Sequence, residues 1–159
     1  MTDFARLLGA LSSADVEFIL VGGVAATVHG SSRLTQDVDV VYARSDANLG
    51  RLVEALARLR PYLRGAPPGL PFEWSTLTLR RGLNFTLITT AGAIDLLGDV
   101  TGGGAYGDLL PHTITVSLFS HPTRCLSLEW LIHTKRAAGR PRDLEAIAEL
   151  ELLRDGMDE

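Results

Sequence analysis

The chain has 159 residues, of which 46% are hydrophobic, and a net charge of -4. That length and apolar content suffice for one domain, residues 1–159, with a proper buried core. The negative balance argues against a general nucleic-acid coat, and no run approaches the ~18 apolar residues of a membrane span.

Read in chain order, the pattern predicts an α+β layout. The opening MTDFARLLGALSSAD lacks the basic start and long apolar run of a signal peptide; Phe4, Leu7, Leu8 and Leu11 instead follow helical spacing over about 3–13. An apolar strand at 16–21, FILV, meets Gly22-Gly23, and a short helix is expected over 23–29. The run QDVDVVY has strong β character from Val38, Val40 and Val41, giving a strand at 37–42. Ser45 is placed to cap a helix reaching about Arg60, with Leu49, Leu52, Val53, Leu56 and Leu59 on its inner side. Residues 61–72, with four prolines and two glycines, read as a loop, and a short helix follows at 74–81. NFTLIT and AIDLLG are separated by Thr90-Ala91-Gly92, a compact hairpin connection, and TGGGAYG closes that unit. Strands near 112–118 and 122–126 form a further hairpin around His121-Pro122. Ser127 caps a helix carrying Lys135, Gly139 to Pro141 break it, and a last helix spans about 142–154.

The most informative spacing joins Gly22-Gly23 to Asp37-x-Asp39. Side chains alternate along a strand, so both carboxylates share one face while Val38 and Val40 take the other. Two charges on one face are costly to bury unless neutralised, and a hard divalent cation such as Mg²⁺ or Mn²⁺ prefers carboxylate oxygens. The bland alternative is a solvent-facing edge strand whose acids keep the protein soluble. The glycines favour the first reading. Gly lets a ligand approach the backbone closely, and the N–H groups at the start of the following helix favour a phosphate.

These residues carry a likeness. VGGVAATVHGSSRLTQDVDVVY resembles the signature of the DNA polymerase β-like nucleotidyltransferases, and Gly30, Arg33, Thr35 and Asp37 look most like the bacterial AbiEii-type toxin branch. AIDLLGDVTGG resembles that branch's third-carboxylate strand, which places Asp95 beside the pair. LSLEWLIHTKRAAGRPRDLEAI resembles its C-terminal helix pair, with Lys135, Arg140 and Asp143 at matching positions. The resemblance covers most of residues 16–153 and implies the nucleotidyltransferase fold: a mixed, largely antiparallel sheet flanked by helices. Gly23 departs from the pattern, since many members have Ser there, so only backbone N–H groups remain for phosphate.

The resemblance further implies a division of labour. Asp37 and Asp39 hold one Mg²⁺ on the triphosphate, and a second cation sits among Asp37, Asp39 and Asp95, with Asp95 as ligand or base for the incoming hydroxyl. From the residues alone, Asp95 between Ile94 and Leu96 is equally an acid paired with a nearby arginine. Lys135 is the only lysine beside fourteen arginines. A compact point charge retained against that bias suits a triphosphate contact, though a surface lysine on an amphipathic helix fits too. Gly22, Gly23, Arg33, Lys135 and Arg140 are the candidate NTP contacts. Arg33 contacts phosphate or pairs with one of the acids, and Asp143 is alternatively a first-turn acid of the last helix.

Charge along the chain is uneven. Residues 44–81 hold seven Arg against three acids, residues 121–142 hold five basic residues against Glu129, and 143–159 hold seven acids and one Arg. This is either a basic face around an acidic site, suited to RNA, or solvated helix surface. Gly102-x-Gly104-x-x-Gly107 matches a dinucleotide fingerprint but lacks the strand–helix context, and reads as a turn. The four histidines show no paired metal-ligand spacing; His29 either touches a nucleotide or caps its helix. Trp74 is a candidate base-stacking residue, Trp130 a core residue, and Cys125 a small core residue. A lone cysteine excludes an internal disulfide and fits a reducing cytoplasm.

The expectation is therefore a metal-dependent transferase that moves an NMP from an NTP to a hydroxyl and releases pyrophosphate. The acceptor is tRNA, other RNA or a protein side chain, in a toxin–antitoxin or phage-defence setting. The chain is short beside the larger toxins of the branch, so a cognate toxin or antitoxin partner, or a homodimer, is expected to complete the acceptor site. The competing expectations are an antitoxin that nucleotidylates its toxin, and a nucleotide-binding regulator with little turnover.

Overall fold

The computed structural model describes residues 1–157; Asp158 and Glu159, the last two of the seven acids in the C-terminal segment, lie outside the described residues. In chain order the elements are helix α1 (Phe4–Ser13), strand β1 (Phe18–Val21), α2 (Gly22–Val28), β2 (Asp37–Tyr42), α3 (Asp46–Ala57), β3 (Tyr62–Leu63), α4 (Thr76–Arg81), β4 (Phe85–Thr89) and β5 (Gly92–Leu97). Then follow β6 (Asp99–Val100), β7 (Gly104–Ala105), α5 (Tyr106–Leu109), a 3-10 turn (Leu110–His112), β8 (Thr113–Leu118), β9 (His121–Leu126), α6 (Leu128–Ala138) and α7 (Pro141–Met157).

Seven strands form a mixed sheet in the order β3-β4-β5-β2-β1-β9-β8, while β6 and β7 pair separately. β2 lies parallel to β5 and antiparallel to β1, and the two hairpins β4–β5 and β8–β9 are antiparallel. This is the α+β architecture that the alternating elements predict. Among the described residues no helix is long and apolar enough to cross a membrane.

Local chemistry explains the element ends. The Ser45 and Ser127 hydroxyls accept from the N–H groups of Asn48 and Trp130, capping α3 and α6. Gly139 ends α6 in the left-handed conformation, φ 65°. The leucines of α1 and α3 (Leu7, Leu8, Leu11, Leu49, Leu52 and Leu56) are buried together with Val38, Val40 and Ile94 of the central strands.

Several sequence expectations shift. The segment at 61–72 is not wholly loop, because Tyr62 and Leu63 pair with Ile88 and Leu87 at the sheet edge. The turn between β8 and β9 is Phe119-Ser120, both at positive φ (51° and 68°), so His121 and Pro122 lie inside β9. Two consecutive positive φ values suit a two-residue hairpin, a geometry that Asn-Gly usually advertises and Phe-Ser does not. The glycine-rich TGGGAYG makes the turn after β6, then β7 and the start of α5. α7 begins at Pro141, the first-turn position that proline favours.

Asn48 is fully buried and ties α3 to the strands that carry the site. Its Oδ1 accepts from Glu17 N at 2.7 Å, and its Nδ2 donates to Glu17 O at 3.0 Å and Ala43 O at 2.7 Å. Truncation strands Glu17 N and Ala43 O, while Glu17 O keeps the Ala43 N–H at 3.1 Å, so Asn48→Ala is expected to lower stability by about 1–3 kcal/mol in urea unfolding. An unchanged unfolding midpoint would show that these bonds contribute nothing net.

Candidate active site

The register of β2 against β5 sets Asp39 opposite Asp95 and Asp37 opposite Ala93. Paired residues of parallel strands point to one face, and residues two apart do so as well. Asp37, Asp39 and Asp95 therefore share a face, while Val38 and Val40 are fully buried on the other side.

On its other edge β2 pairs with β1, placing Val21 opposite Asp39. The chain then turns at Gly22 directly over that carboxylate. Gly22 has φ +67°, and a Cβ there would overlap the Asp39 side chain, so both backbone and space demand glycine. At Gly23 a Cβ would come within 2.6 Å of the Thr35 hydroxyl oxygen, which accounts physically for glycine where a serine would collide.

Burial, then the adjacent Asp95 and Asp37 charges, hold the Asp39 carboxyl up to about 7, against the opposing pull of Arg64. Arg64 was not among the residues singled out from sequence. Its guanidinium reaches Asp95 Oδ1 at 2.8 Å and Asp37 Oδ2 at 3.6 Å. It follows β3 directly, and only the two-residue pairing of that edge strand brings it here; in sequence it reads as one more loop arginine.

An open cleft of about 820 Å³ lies over these acids, lined also by Gly22, Gly23, Arg33, Lys135, Arg140 and Arg142. Lys135 comes from α6. Burial lowers its ammonium below the ordinary lysine value, with Asp143 and Asp39 pulling the other way. Among the described residues, neither Lys135 nor Arg142 has a carboxylate within ion-pair distance. Arg33 pairs with Glu145 at 3.5 Å instead of with the strand acids. Arg140 pairs at 2.6 Å with Asp143, which is 2% exposed and also accepts the Arg140 backbone N–H, so Asp143 is a first-turn acid of α7 that orients the arginine. Glu149 of α7 accepts from the Ser31 hydroxyl at 2.5 Å, and thereby anchors the loop leading into β2.

The remaining candidates lie elsewhere. The Trp74 indole donates to Val53 O at 2.9 Å and packs against the core, which leaves it outside the cleft lining. His29, the residue that caps the C-terminus of α2, hydrogen-bonds Leu126 O at 2.9 Å. Cys125 is fully buried, its thiol pushed up to about 12 by that burial, as suits an inert core residue. Trp130 packs against the core with His112 stacked on it at 3.8 Å. Of the basic segments, 121–142 supplies the cleft wall. Within 44–81, Arg51 and Arg80 make exposed pairs with Glu17 and Asp46, and Arg64 alone of that group meets the strand acids.

A divalent cation can be tested against this donor set. Three carboxylates under mutual repulsion are the hard oxygen ligands that Mg²⁺ or Mn²⁺ prefers, so the chemistry fits. As the side chains stand, no group of three or more His, Cys, Asp or Glu among the described residues is drawn together to hold a metal ion.

A carboxyl raised from 3.8 to about 7 binds its proton more tightly in the folded than in the unfolded protein. Its contribution to stability is full below about 4 and is lost as pH rises through about 7. In a chelating buffer, Asp39→Asn is therefore expected to raise Tm at pH 8, by about 2–4 °C for each kcal/mol relieved, and to leave it unchanged near pH 4. An equal loss at both pH values would mark Asp39 as a structural residue.

Comparisons with known proteins bear on the family and the fold. The family model described as "Nucleotidyl transferase AbiEii toxin, Type IV TA system" matches residues 6–144. No curated protein sequence matches the chain. Among solved structures, the antibiotic-resistance factor ANT(2'')-Ia in complex with adenylyl-2''-tobramycin superimposes with a TM-score of 0.56 at 14% identity, over 95% of this chain and 92% of that one. TM1012, a nucleotidyltransferase of Thermotoga maritima, superimposes with a TM-score of 0.54 at 14% identity, over 99% of this chain and 96% of that one. At such identity these likenesses show a shared fold, and the family match extends over most of the chain. The chain belongs to the AbiEii nucleotidyltransferase toxin family and is a nucleotidyltransferase.

Proposed function

We propose that the protein transfers a nucleoside monophosphate from an NTP to a hydroxyl of an RNA, such as tRNA, or of a protein side chain, releasing pyrophosphate. The observation that carries this reading is the facing of Asp37, Asp39 and Asp95 on one sheet surface towards a cleft walled by Lys135, Arg33, Arg140 and Arg142. Carboxylates suit a cation, and the cationic wall suits a triphosphate.

Asp37 and Asp39, with Asp95 beside them, would hold a divalent cation, Mg²⁺ or Mn²⁺, which when bound would neutralise charge on the phosphates. The other parts belong to the chain. Gly22 and Gly23 let phosphate oxygens approach the backbone N–H groups at the start of α2. Lys135 faces the triphosphate and stabilises the charge that grows on the departing pyrophosphate. Arg33 and Arg140, oriented by Glu145 and Asp143, add positive charge at the rim. The acceptor oxygen bonds to the α-phosphorus as the bond from that phosphorus to the bridging oxygen breaks. Asp95 accepts the hydroxyl proton.

Family membership supports a toxin–antitoxin setting, in which a cognate partner or a second copy helps to select the acceptor. The test is incubation of the protein with each labelled NTP, Mg²⁺ and either total RNA or lysate. Label on RNA, abolished by Asp39→Asn, is the expected result. Label on one protein instead identifies a protein-modifying enzyme, including an antitoxin that modifies its toxin. Nucleotide binding with no transfer to any acceptor would contradict the catalytic reading in favour of a regulator. Lys135→Ala is expected to lower kcat/KM for the NTP by about 10²-fold, the scale of losing one preorganised charge-stabilising donor. Unaltered kinetics would remove Lys135 from this role.

A further inference from the structure

The seat of Arg64 does not depend on the acids it touches. Its backbone N–H donates to Thr86 O at 3.0 Å, continuing the pairing of β3 with β4. Its Nε and Nη2 both donate to Leu87 O, at 3.2 and 2.7 Å, which fixes the guanidinium to the sheet backbone. From there Nη2 reaches Asp95 Oδ1 at 2.8 Å and Nη1 reaches Asp37 Oδ2 at 3.6 Å. A guanidinium stays charged throughout the physiological range.

We infer that Arg64 is a built-in cation occupying the Asp95 side of the carboxylate group, so that the nucleotide-free protein takes up one divalent cation, at Asp37 and Asp39, and not two. The inference deepens the proposed reading and rests on it. Once Asp39 has given up its proton, three carboxylates less one guanidinium leave two negative charges, which a single divalent ion cancels. A second ion at Asp95 would meet the permanent positive charge hydrogen-bonded to that carboxylate. Withdrawal of Arg64 to make room would give up both bonds to Leu87 O and the charge-assisted bond to Asp95, the stronger class of hydrogen bond. Arg64 thereby acts as a positioning residue: it holds Asp95 in place and sets the number of cations the site accepts.

The experiment is a Mn²⁺ titration of the full chain without nucleotide, with free Mn²⁺ counted by its paramagnetic resonance signal. The wild type is expected to take up one equivalent, and Arg64→Ala two. Arg64→Gln, which keeps a donor for Leu87 O but no charge, is expected to match Arg64→Ala while retaining the wild-type circular-dichroism spectrum and cooperative unfolding, so that misfolding is not mistaken for an effect. Adding Asp95→Asn to Arg64→Gln is expected to return the count to one. Two equivalents in the wild type, or one in both wild type and Arg64→Gln, would overturn the inference. So would a wild type that binds none while Arg64→Gln binds, because Arg64 would then be a plug on the whole site. Asp39→Asn separates this from the reading beneath it. If it removes Mn²⁺ uptake while the Arg64 variants still bind one, only the role of Arg64 fails. If Mn²⁺ uptake is indifferent to Asp39, or absent from every variant, the metal–nucleotide reading fails with it.

Discussion

Parallel pairing of β2 with β5 gathers the charge around which this protein is built. Register decides everything there, because a slip of one residue sends alternate side chains to the opposite face. The apolar side holds it. Val38, Val40, Ile94 and Leu96 are fully buried, and exposing any one of them forfeits roughly 1.5–3 kcal/mol. Hydrophobic burial on one face thus sustains like-charge crowding on the other, and burial of Asp39 first, then the neighbouring Asp95 and Asp37, holds its carboxyl up to about 7.

The rest of the cleft is arranged around that potential. Glycine at 22 lets the β1–α2 turn sit directly over Asp39. Arg64 meets the acids from the sheet edge, and Lys135 meets the open space from α6. The acidic C-terminal helix lines one side of the cleft with Arg142, Asp143 and Glu149. Through Glu145, Glu149 and Asp143 it grips Arg33, Ser31 and Arg140, so its charges fix the loops and side chains that border the site. An acidic floor under a cationic wall is the complement of a metal-bound polyphosphate.

Much of this was legible in the sequence because the informative signals are local. Period-two alternation in DVDVV assigns Asp37 and Asp39 to one face, the Gly-Gly pair marks a close-approach turn, and the serines before α3 and α6 announce their caps. Asp95 needed the family likeness, since one acid in an apolar run does not state its register. It lies beside Asp39 and bonds an arginine as well, so the position expected of a third carboxylate and the pairing with an arginine are not exclusive. What stayed hidden depends on distant pairings. Arg64 reaches the acids only because two residues of an apparent loop join the sheet edge, and no periodicity extends over two residues. Glu149 and Ser31 are 118 positions apart, and nothing local links them. Trp74 shows the opposite error: an indole in a basic segment suggested a base-stacking platform, but its N–H is bonded to Val53 O.

The most direct test of a cation-and-phosphate site on these strands is paramagnetic line broadening. Mn²⁺ and a non-hydrolysable NTP analogue would be added to the isotope-labelled protein, and amide signals followed by NMR. Signals from Gly22, Gly23, Asp37 to Asp39, Asp95 and the Lys135 turn of α6 are expected to broaden first and together, with those of α1 and α3 unaffected. Broadening confined to the acidic outer surface of α7, with the β2 and β5 signals sharp, would contradict the account.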